Sequence, residues 1–447
     1  MRVAVIGGGP VGLVSGAVLA SVGHAVTVAD IDRARTERIA RGEPPFHEPG
    51  LPALLDQVVR TGRLRATTDT AEAVADAEAI LICVGTPPTG NGADLRALKA
   101  ASAAVGAGVR GRGGYRALAV KSTVPPGTTS QVVEPIVREH SGMGPDALGI
   151  GMNPEFLREG VAVDDMRAPD RIVLGVGDER ARATLEALYA PFDAPIIITT
   201  PTGAEMAKYA SNALLSTLVS FSNEIAALCE SVEGADAVAA LRAVHADRRF
   251  KGDPARPHAP ASITSYILPG LGYGGSCFPK DTEALTAWAR ERQVDTPLLD
   301  AVRAVNATRP ERVVALLRRR LPLAGARVAV LGLAFKPDTD DLRESRSLDL
   351  ARLLHAAGAE VRACDPLAAA QGQAALAGVA TVTAEPEPAL AGADAAVLAT
   401  AWPSLVALDP ARVRRLMRRP LVLDARRGLD PAAWAAECEY LPIGVKA

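Results

Sequence analysis

Short, mostly apolar blocks recur through the first two hundred positions, at 2–6, 25–30, 79–84, 117–121, 148–152, 171–175 and 195–199. Blocks of this length without polar alternation read as strands covered on both faces, and the mixed stretches between them read as covering helices. That rhythm predicts a parallel sheet wrapped by helices. From Gly203 to about Val232 the pattern becomes helical and nearly unbroken, which predicts a long central helix. Helical character returns from Asp281 to about Arg320, after which Pro322 and Gly325 punctuate a boundary. A second strand series opens at 326–332 and continues at 360–364, 395–399 and 421–424. The fold class expected is α/β, with two Rossmann-like doubly wound domains (1–200 and 321–447) joined by a central helical segment (201–320) that also offers a dimer surface.

The first strand runs straight into Gly7-Gly8-Gly9-Pro10-Val11-Gly12, a G-x-G-x-x-G turn, with a helical run behind it and a second strand ending on Asp30. A lone glycine fingerprint is weak; strand, turn, helix, strand and terminal acid together are a dinucleotide site. Gly7, Gly9, Val11 and Gly12 let a pyrophosphate reach the helix N-terminus, where unpaired N–H groups and the dipole attract it. Asp30 can accept from ribose hydroxyls and repels a 2′-phosphate, so NAD is favoured over NADP. Val84, Thr86, Pro87, Ser122 and Thr123 follow later strand ends, where ligands bind in open α/β sheets. They join the cofactor set.

Composition narrows the functional classes. At 447 residues, two or three domains are expected. The 51 acidic residues nearly balance 49 basic ones, so no global field draws nucleic acid or an anionic membrane. No uninterrupted apolar run is long enough to span a bilayer, and the glycine-punctuated start is unlike a signal peptide. Five scattered cysteines without a C-x-x-C pair argue against a disulfide framework or a zinc site and suit a reducing cytoplasm. Only seven of the basic residues are lysine, and four of those (Lys121, Lys208, Lys280, Lys336) fall in the motifs named below. A compact point charge with an adjustable pKa is wanted there.

The densest chemistry lies in Gly274-Gly275-Ser276-Cys277-Phe278-Pro279-Lys280-Asp281, where a thiol, an amine and a carboxylate sit within five residues beside flexible glycines. Pro279 suits a first helical turn, which puts Cys277 near a helix N-terminus with an ammonium close by. Both favour thiolate over a free thiol of pKa about 8.5. The competing reading is a cysteine that merely packs as a small hydrophobe.

These motifs, together with Val84-Gly85-Thr86-Pro87, Lys121-Ser122-Thr123-Val124-Pro125, Asn153 to Gly160, Glu205 to Asn212 and Gly332-Leu333-Ala334-Phe335-Lys336, occur in one order along the chain. In that order the chain resembles the UDP-glucose 6-dehydrogenases within the UDP-glucose and GDP-mannose dehydrogenase superfamily. The resemblance implies NAD-dependent four-electron oxidation of UDP-glucose at C6 to UDP-glucuronate, through a thiohemiacetal and a thioester on Cys277. Lys208 and Asn212, four apart on the predicted long helix and so on one face, are implied to stabilise and orient the reacting oxygen, with Asp281 in proton transfer. Glu155 and Glu159 are also four apart, and the competing reading is a pair of ordinary helix-surface glutamates; the resemblance instead implies that Glu155 handles the hydrolytic water together with Thr123. Glu159, Lys280 and Arg343 are implied cofactor contacts. Phe156, Leu157, Tyr273, Gly274, Phe335, Lys336 and Arg426 are implied to face the nucleotide sugar, with Glu155, Glu159, Lys208 and Asn212. No metal is implied, and a homodimer or higher homo-oligomer is.

The chain departs from the family pattern in one segment. Arg249 fits the arginine offered to a neighbouring subunit's substrate, but the link from Lys251 to Tyr266 is longer and Pro-rich, which reads as a surface loop. Pro10 also stands where an aromatic is common. The same chemistry on dTDP-glucose, GDP-mannose or UDP-galactose is the near alternative. More distant are a single-step sugar or hydroxyacid dehydrogenase with a structural Cys277, and an NAD-binding scaffold that keeps the fold without chemistry.

Overall fold

The computed structural model describes residues 1–89, 92–230, 233–247, 266 and 268–445. The chain divides into two compact units, Met1–Ser211 with Glu283–Gln293, and Asn212–Thr282 with Val294–Ala447. The division falls within two helices, Pro201–Cys229 and Phe278–Glu291.

The first unit is built on eight strands: β1 (Arg2–Ile6), β2 (Ala25–Ala29), β3 (Leu64–Thr67), β4 (Ala79–Ile82), β5 (Arg116–Val120), β6 (Leu148–Met152), β7 (Ile172–Val176) and β8 (Ile196–Thr199). Their order across the sheet is β3-β2-β1-β4-β5-β6-β7-β8. The apolar blocks have a direct physical reason: on β1, Val3 and Val5 enter one buried layer while Ala4 and Ile6 enter the other. Successive side chains point to opposite faces, so a strand covered on both sides has no polar positions. The helix Pro10–Ser21 is buried continuously from Gly12 to Ala20 against this sheet. Gly16 permits the close packing, since a Cβ there would lie 3.3 Å from Val28.

The second unit carries six parallel strands, β9 (Arg327–Leu331), β10 (Glu360–Cys364), β11 (Ala380–Thr383), β12 (Ala395–Leu398), β13 (Leu421–Asp424) and β14 (Glu439–Pro442), in the order β11-β10-β9-β12-β13-β14. Here Val328 and Val330 face one core layer and Ala329 and Leu331 the other.

One expectation is corrected and two are completed. The first sheet is not parallel throughout, because β6 and β7 pair antiparallel; the link between them carries only the short helix Ala162–Arg167. The stretch 281–320 is three helices, Phe278–Glu291, Pro297–Ala307 and Arg309–Arg318. Gln293 turns left-handed at φ 58°, and Pro297 and Pro310 each sit in the first turn of a new helix, where their missing N–H costs nothing. Strands β3, β11 and β14 went unpredicted. All three are four-residue edge strands whose sequences (LRAT, ATVT, EYLP) mix polar and apolar residues and so show no apolar block.

Candidate active site

At the end of β1 the chain turns at Gly7, φ 110°, where a Cβ would stand 2.7 Å from the Cys83 carbonyl. At Gly12 a Cβ would stand 1.9 Å from the Gly7 carbonyl, so both positions admit only glycine. Above Gly9 the space is open: a Cβ there would meet no atom within 4 Å. No side chain caps the helix that begins at Pro10. An uncapped helix end under open space is a seat for a pyrophosphate. The buried Asp30 accepts the Gly8 N–H at 2.7 Å, the Asp32 N–H at 2.9 Å and Arg35 Nη1 at 2.9 Å. The acid is therefore pinned beside the turn, and its partner Arg35 was not anticipated. Ser122 Oγ donates to the Val84 carbonyl at 2.7 Å and Thr86 Oγ1 to the Thr123 carbonyl at 2.7 Å, tying together the loops that follow β4 and β5. Thr86 is buried, Val84 and Thr123 are half-buried, and Pro87 is exposed. These residues fit a bound NAD.

The segment after β6 is an irregular loop, so the competing reading of Glu155 and Glu159 as helix-surface glutamates does not hold. Pro154 disfavours helical geometry at Asn153, whose side chain instead donates to the Val173 carbonyl at 3.0 Å and accepts from Lys121 Nζ at 3.0 Å. Glu155 pairs with Lys208 at 3.0 Å, both nearly sequestered from solvent, and its second oxygen takes the Leu157 N–H at 2.7 Å. Burial pushes this carboxyl upward, but Lys208, the Leu157 N–H and the more distant Lys121 outweigh it and hold it below the ordinary range. The Lys208 ammonium also lies 5.3 Å from the Phe156 ring centre, over which Arg171 stacks at 3.9 Å. Glu159 and Leu157 are half-buried on the same loop.

One turn further along the long helix, Asn212 Nδ2 donates to Asp281 Oδ2 at 2.5 Å, and Lys280 Nζ meets Asp281 Oδ1 at 2.5 Å. Asn212 and Asp281 are buried. Cys277 stands immediately before the helix Phe278–Glu291, and its carbonyl accepts the Asp281 N–H at 2.8 Å. Its sulfur lies 3.6 Å from Ser276 Oγ. Pro279 occupies the first turn, as the sequence implied. Tyr273 is buried with its ring edge-on to Phe278 at 5.9 Å. Gly274 and Gly275 let the chain pass close to its neighbours: a Cβ at Gly274 would meet the Glu344 carbonyl at 2.4 Å, and one at Gly275, φ 83°, the Phe335 ring at 2.8 Å.

After β9 the turn takes another course. Asp365, at the end of β10, is fully buried and accepts the N–H groups of Leu333, Ala334, Leu367 and Ala368 and the indole of Trp402. Its carboxylate meets five of the protein's own donors, against three at Asp30. Lys336 Nζ lies 5.7 Å from the Phe335 ring centre. Arg343 forks onto Asp341 at 2.6–3.0 Å. Arg426 donates to the carbonyls of Ala399, Gly272 and Phe335. Desolvation lowers its pKa to about 10, offset in part by Asp424. Arg249 and the Pro-rich link lie outside the described residues.

Residues 1–193, 202–308 and 329–431 match, in turn, the NAD-binding, central and UDP-binding domain models of the UDP-glucose/GDP-mannose dehydrogenase family. The chain belongs to that family. It is 41% identical over 435 residues to the UDP-glucose 6-dehydrogenase AglM of Haloferax volcanii, covering 96% of this chain and 97% of the relative. The GDP-mannose 6-dehydrogenase of Pseudomonas aeruginosa is 37% identical over 368 residues, covering 82% and 81%. A solved UDP-glucose dehydrogenase from the hyperthermophilic archaeon Pyrobaculum islandicum superposes with a TM-score of 0.90 at 40% identity, covering 100% and 98%.

Within this family frame, four side chains of interest were not singled out from sequence as site residues: Arg35, Asn223, Asn306 and Arg309. Arg35 carried a readable signal, an arginine in the first turn after the strand-ending acid. The other three serve backbone atoms remote in sequence, and no motif marks such a role.

Proposed function

We propose that the protein oxidises the C6 carbinol of UDP-glucose to the carboxylate of UDP-glucuronate in two NAD-dependent steps linked by Cys277. The observation that carries this reading is the placement of Cys277 at the N-terminal edge of a helix whose first turn also presents Asp281, bonded to Asn212 and Lys280. The helix dipole favours negative charge developing on that sulfur. A bound NAD supplies the hydride acceptor, once per step.

Lys208 and Asn212 steady the oxygen at C6 as its proton leaves, with Asp281 in the proton path, and loss of hydride from the same carbon gives the aldehyde. The Cys277 sulfur then adds to the aldehyde carbon, and the carbonyl oxygen takes a proton. Loss of hydride from that carbon leaves a thioester, and Glu155 with Thr123 directs water onto it. Acid and free thiol result. The match of 329–431 to a UDP-binding domain supports the nucleotide end, where Lys336, Phe335, Gly274, Tyr273 and Arg426 are assigned. In this division 1–200 is the NAD-binding domain, 201–320 the central helical domain with the dimer surface and the Cys277 loop, and 321–447 the nucleotide-sugar-binding domain.

Excess NAD with limiting UDP-glucose should yield two NADH per sugar, measured by absorbance beside the dTDP-glucose, GDP-mannose and UDP-galactose analogues. One NADH would reduce Cys277 to a packing residue; two NADH from an analogue alone would transfer the reading to that sugar.

The same reading makes the protein a cytoplasmic homodimer or higher homo-oligomer. All five cysteines are free thiols, and among the described residues no helix is long and apolar enough to cross a membrane. Leu214, Phe221 and Leu228 are exposed at 57%, 48% and 59% and recur every seven residues along the long helix. Heptad spacing of large apolar groups is the signature of a helix-to-helix seam. Phe221→Glu combined with Leu228→Glu is expected to halve the mass seen by light scattering. An unchanged mass would put the subunit contact elsewhere.

A further inference from the structure

Between Leu268 and Gly275 the chain forms neither helix nor strand, yet it is held at close intervals from outside. Ser222 Oγ donates to the Leu268 carbonyl at 2.9 Å. Asn223 Oδ1 accepts the Gly270 N–H at 2.8 Å while Arg309 Nε donates to the Gly270 carbonyl at 3.1 Å. Asn306 clamps Tyr273 from both sides, accepting its N–H at 2.8 Å and donating to its carbonyl at 3.0 Å. Arg426 Nη1 donates to the Gly272 carbonyl at 3.0 Å, and the Gly275 N–H donates to the Arg343 carbonyl at 2.8 Å. Two residues later comes Cys277.

Arg309 is the anomalous member of this cradle. It is 2% exposed, yet its hydrogen bonds among the described residues go only to the carbonyls of Gly270 and Asn223. The nearby Glu230 is taken by Arg312 at 2.6 Å and by the Gly444 N–H. Among the described residues, Arg309 Nη2 and the adjacent Asn223 Nδ2 have no hydrogen-bond partner. A buried guanidinium without a carboxylate and with an unmet donor costs stability, and an apolar side chain of similar volume avoids that cost. Fold stability is therefore a poor account of an arginine here.

We propose that Arg309, with Asn306, is a positioning residue that fixes the glycine loop and hence the Cys277 sulfur, keeping the aldehyde on the thiol until the second oxidation. This rests on the two-step reading above. Capture needs the sulfur within bonding reach of the aldehyde carbon, so that an S–C bond forms as the carbonyl π pair moves to oxygen and is protonated. Loss of hydride to NAD from that carbon then gives the thioester, which water cleaves to acid and thiol. A displacement of about 1 Å can cost such a step ~10²-fold. An uncaptured aldehyde diffuses away after a single hydride transfer.

The test uses full-length Arg309→Met and Asn306→Asp with UDP-glucose and excess NAD. Four quantities are read: NADH per sugar, aldehyde trapped by a carbonyl reagent, iodoacetamide alkylation of Cys277 followed by peptide mass spectrometry, and thermal midpoint. Wild type should give two NADH and no trapped aldehyde. Arg309→Met should fall toward one NADH with aldehyde released and a Cys277 alkylation rate different from wild type, at a thermal midpoint equal to or above wild type. Asn306→Asp keeps the acceptor for the Tyr273 N–H but loses the donor to its carbonyl, and should leak aldehyde as well. Two NADH, no aldehyde and wild-type alkylation in both variants overturn the proposal, as does a lowered midpoint with coupling and alkylation intact. One NADH from the wild type sinks the two-step reading instead; alkylation then still decides whether Arg309 and Asn306 set the loop.

Discussion

Cys277→Ala is expected to bind NAD with unchanged affinity and to form no detectable acid from UDP-glucose. The separation follows from where the groups sit. The glycine turn, Asp30 and the loops after β4 and β5 belong to the first unit, whereas Cys277 and its helix begin in the second. Removing one sulfur leaves every hydrogen bond of the cofactor cradle in place. Without it no S–C bond can form, so the second hydride has no covalent donor, and the loss in acid formation should be on the order of 10⁴-fold or more, as for other covalent nucleophiles. Cys277→Ser tests the same step more narrowly, because it keeps the shape and replaces a thiolate by a poorly ionised hydroxyl. Acid production is measured by mass spectrometry of the sugar product and cofactor affinity by fluorescence titration. Acid at wild-type rate in either variant would falsify the covalent route and leave Cys277 as packing.

What could be read in advance divides by physical cause. The turn from Gly7 to Gly12 was legible because steric necessity writes itself as glycine: no other residue fits beside the Cys83 and Gly7 carbonyls. The central strands were legible because each buries both faces, and the long helix because nothing interrupts it. The spacing of four between Glu155 and Glu159 fixes no geometry, because it is helical only when the backbone is, and Pro154 with the Asn153 side chain directs this segment into a loop. The pairing of Glu155 with Lys208 joins two motifs 53 positions apart in the chain, and no local pattern carries such a contact. Arg426 shows the same limit from the other side: its place in a nucleotide-binding domain suggests a phosphate, but no pattern announces that its guanidinium also donates to three carbonyls, one of them Gly272 in the glycine loop. The cradle formed by Asn223, Asn306 and Arg309 is silent in sequence for the same reason, since its partners are backbone atoms.

Lys208→Met is the second substitution expected to act strongly, and it should act on stability and rate through different groups. In the folded protein Glu155 titrates below its ordinary value of 4.5, so its pairing adds stability that is present above the unfolded pKa and is lost as pH falls through the folded one. Methionine fills much of the lysine's volume but leaves the carboxylate buried with the Leu157 N–H and the distant Lys121. Stranding one partner of a buried pair costs about 3–5 kcal/mol, and the deficit should be largest at neutral pH. Glu155 in the variant is then pushed upward by desolvation, and the deficit narrows as acid protonates the carboxyl in both proteins. Denaturant melts from pH 4 to pH 8 read this directly, and a deficit independent of pH would mean that packing alone was lost. The rate effect is separate. Without an ammonium at the C6 oxygen the first hydride transfer should slow by roughly 10²–10³-fold, the cost of removing one oxyanion donor, while NAD affinity stays unchanged. The acid limb of thioester hydrolysis, which needs ionised Glu155, should move to higher pH. A slowed first step with that limb unmoved would assign Lys208 to the substrate oxygen and detach it from the hydrolytic base.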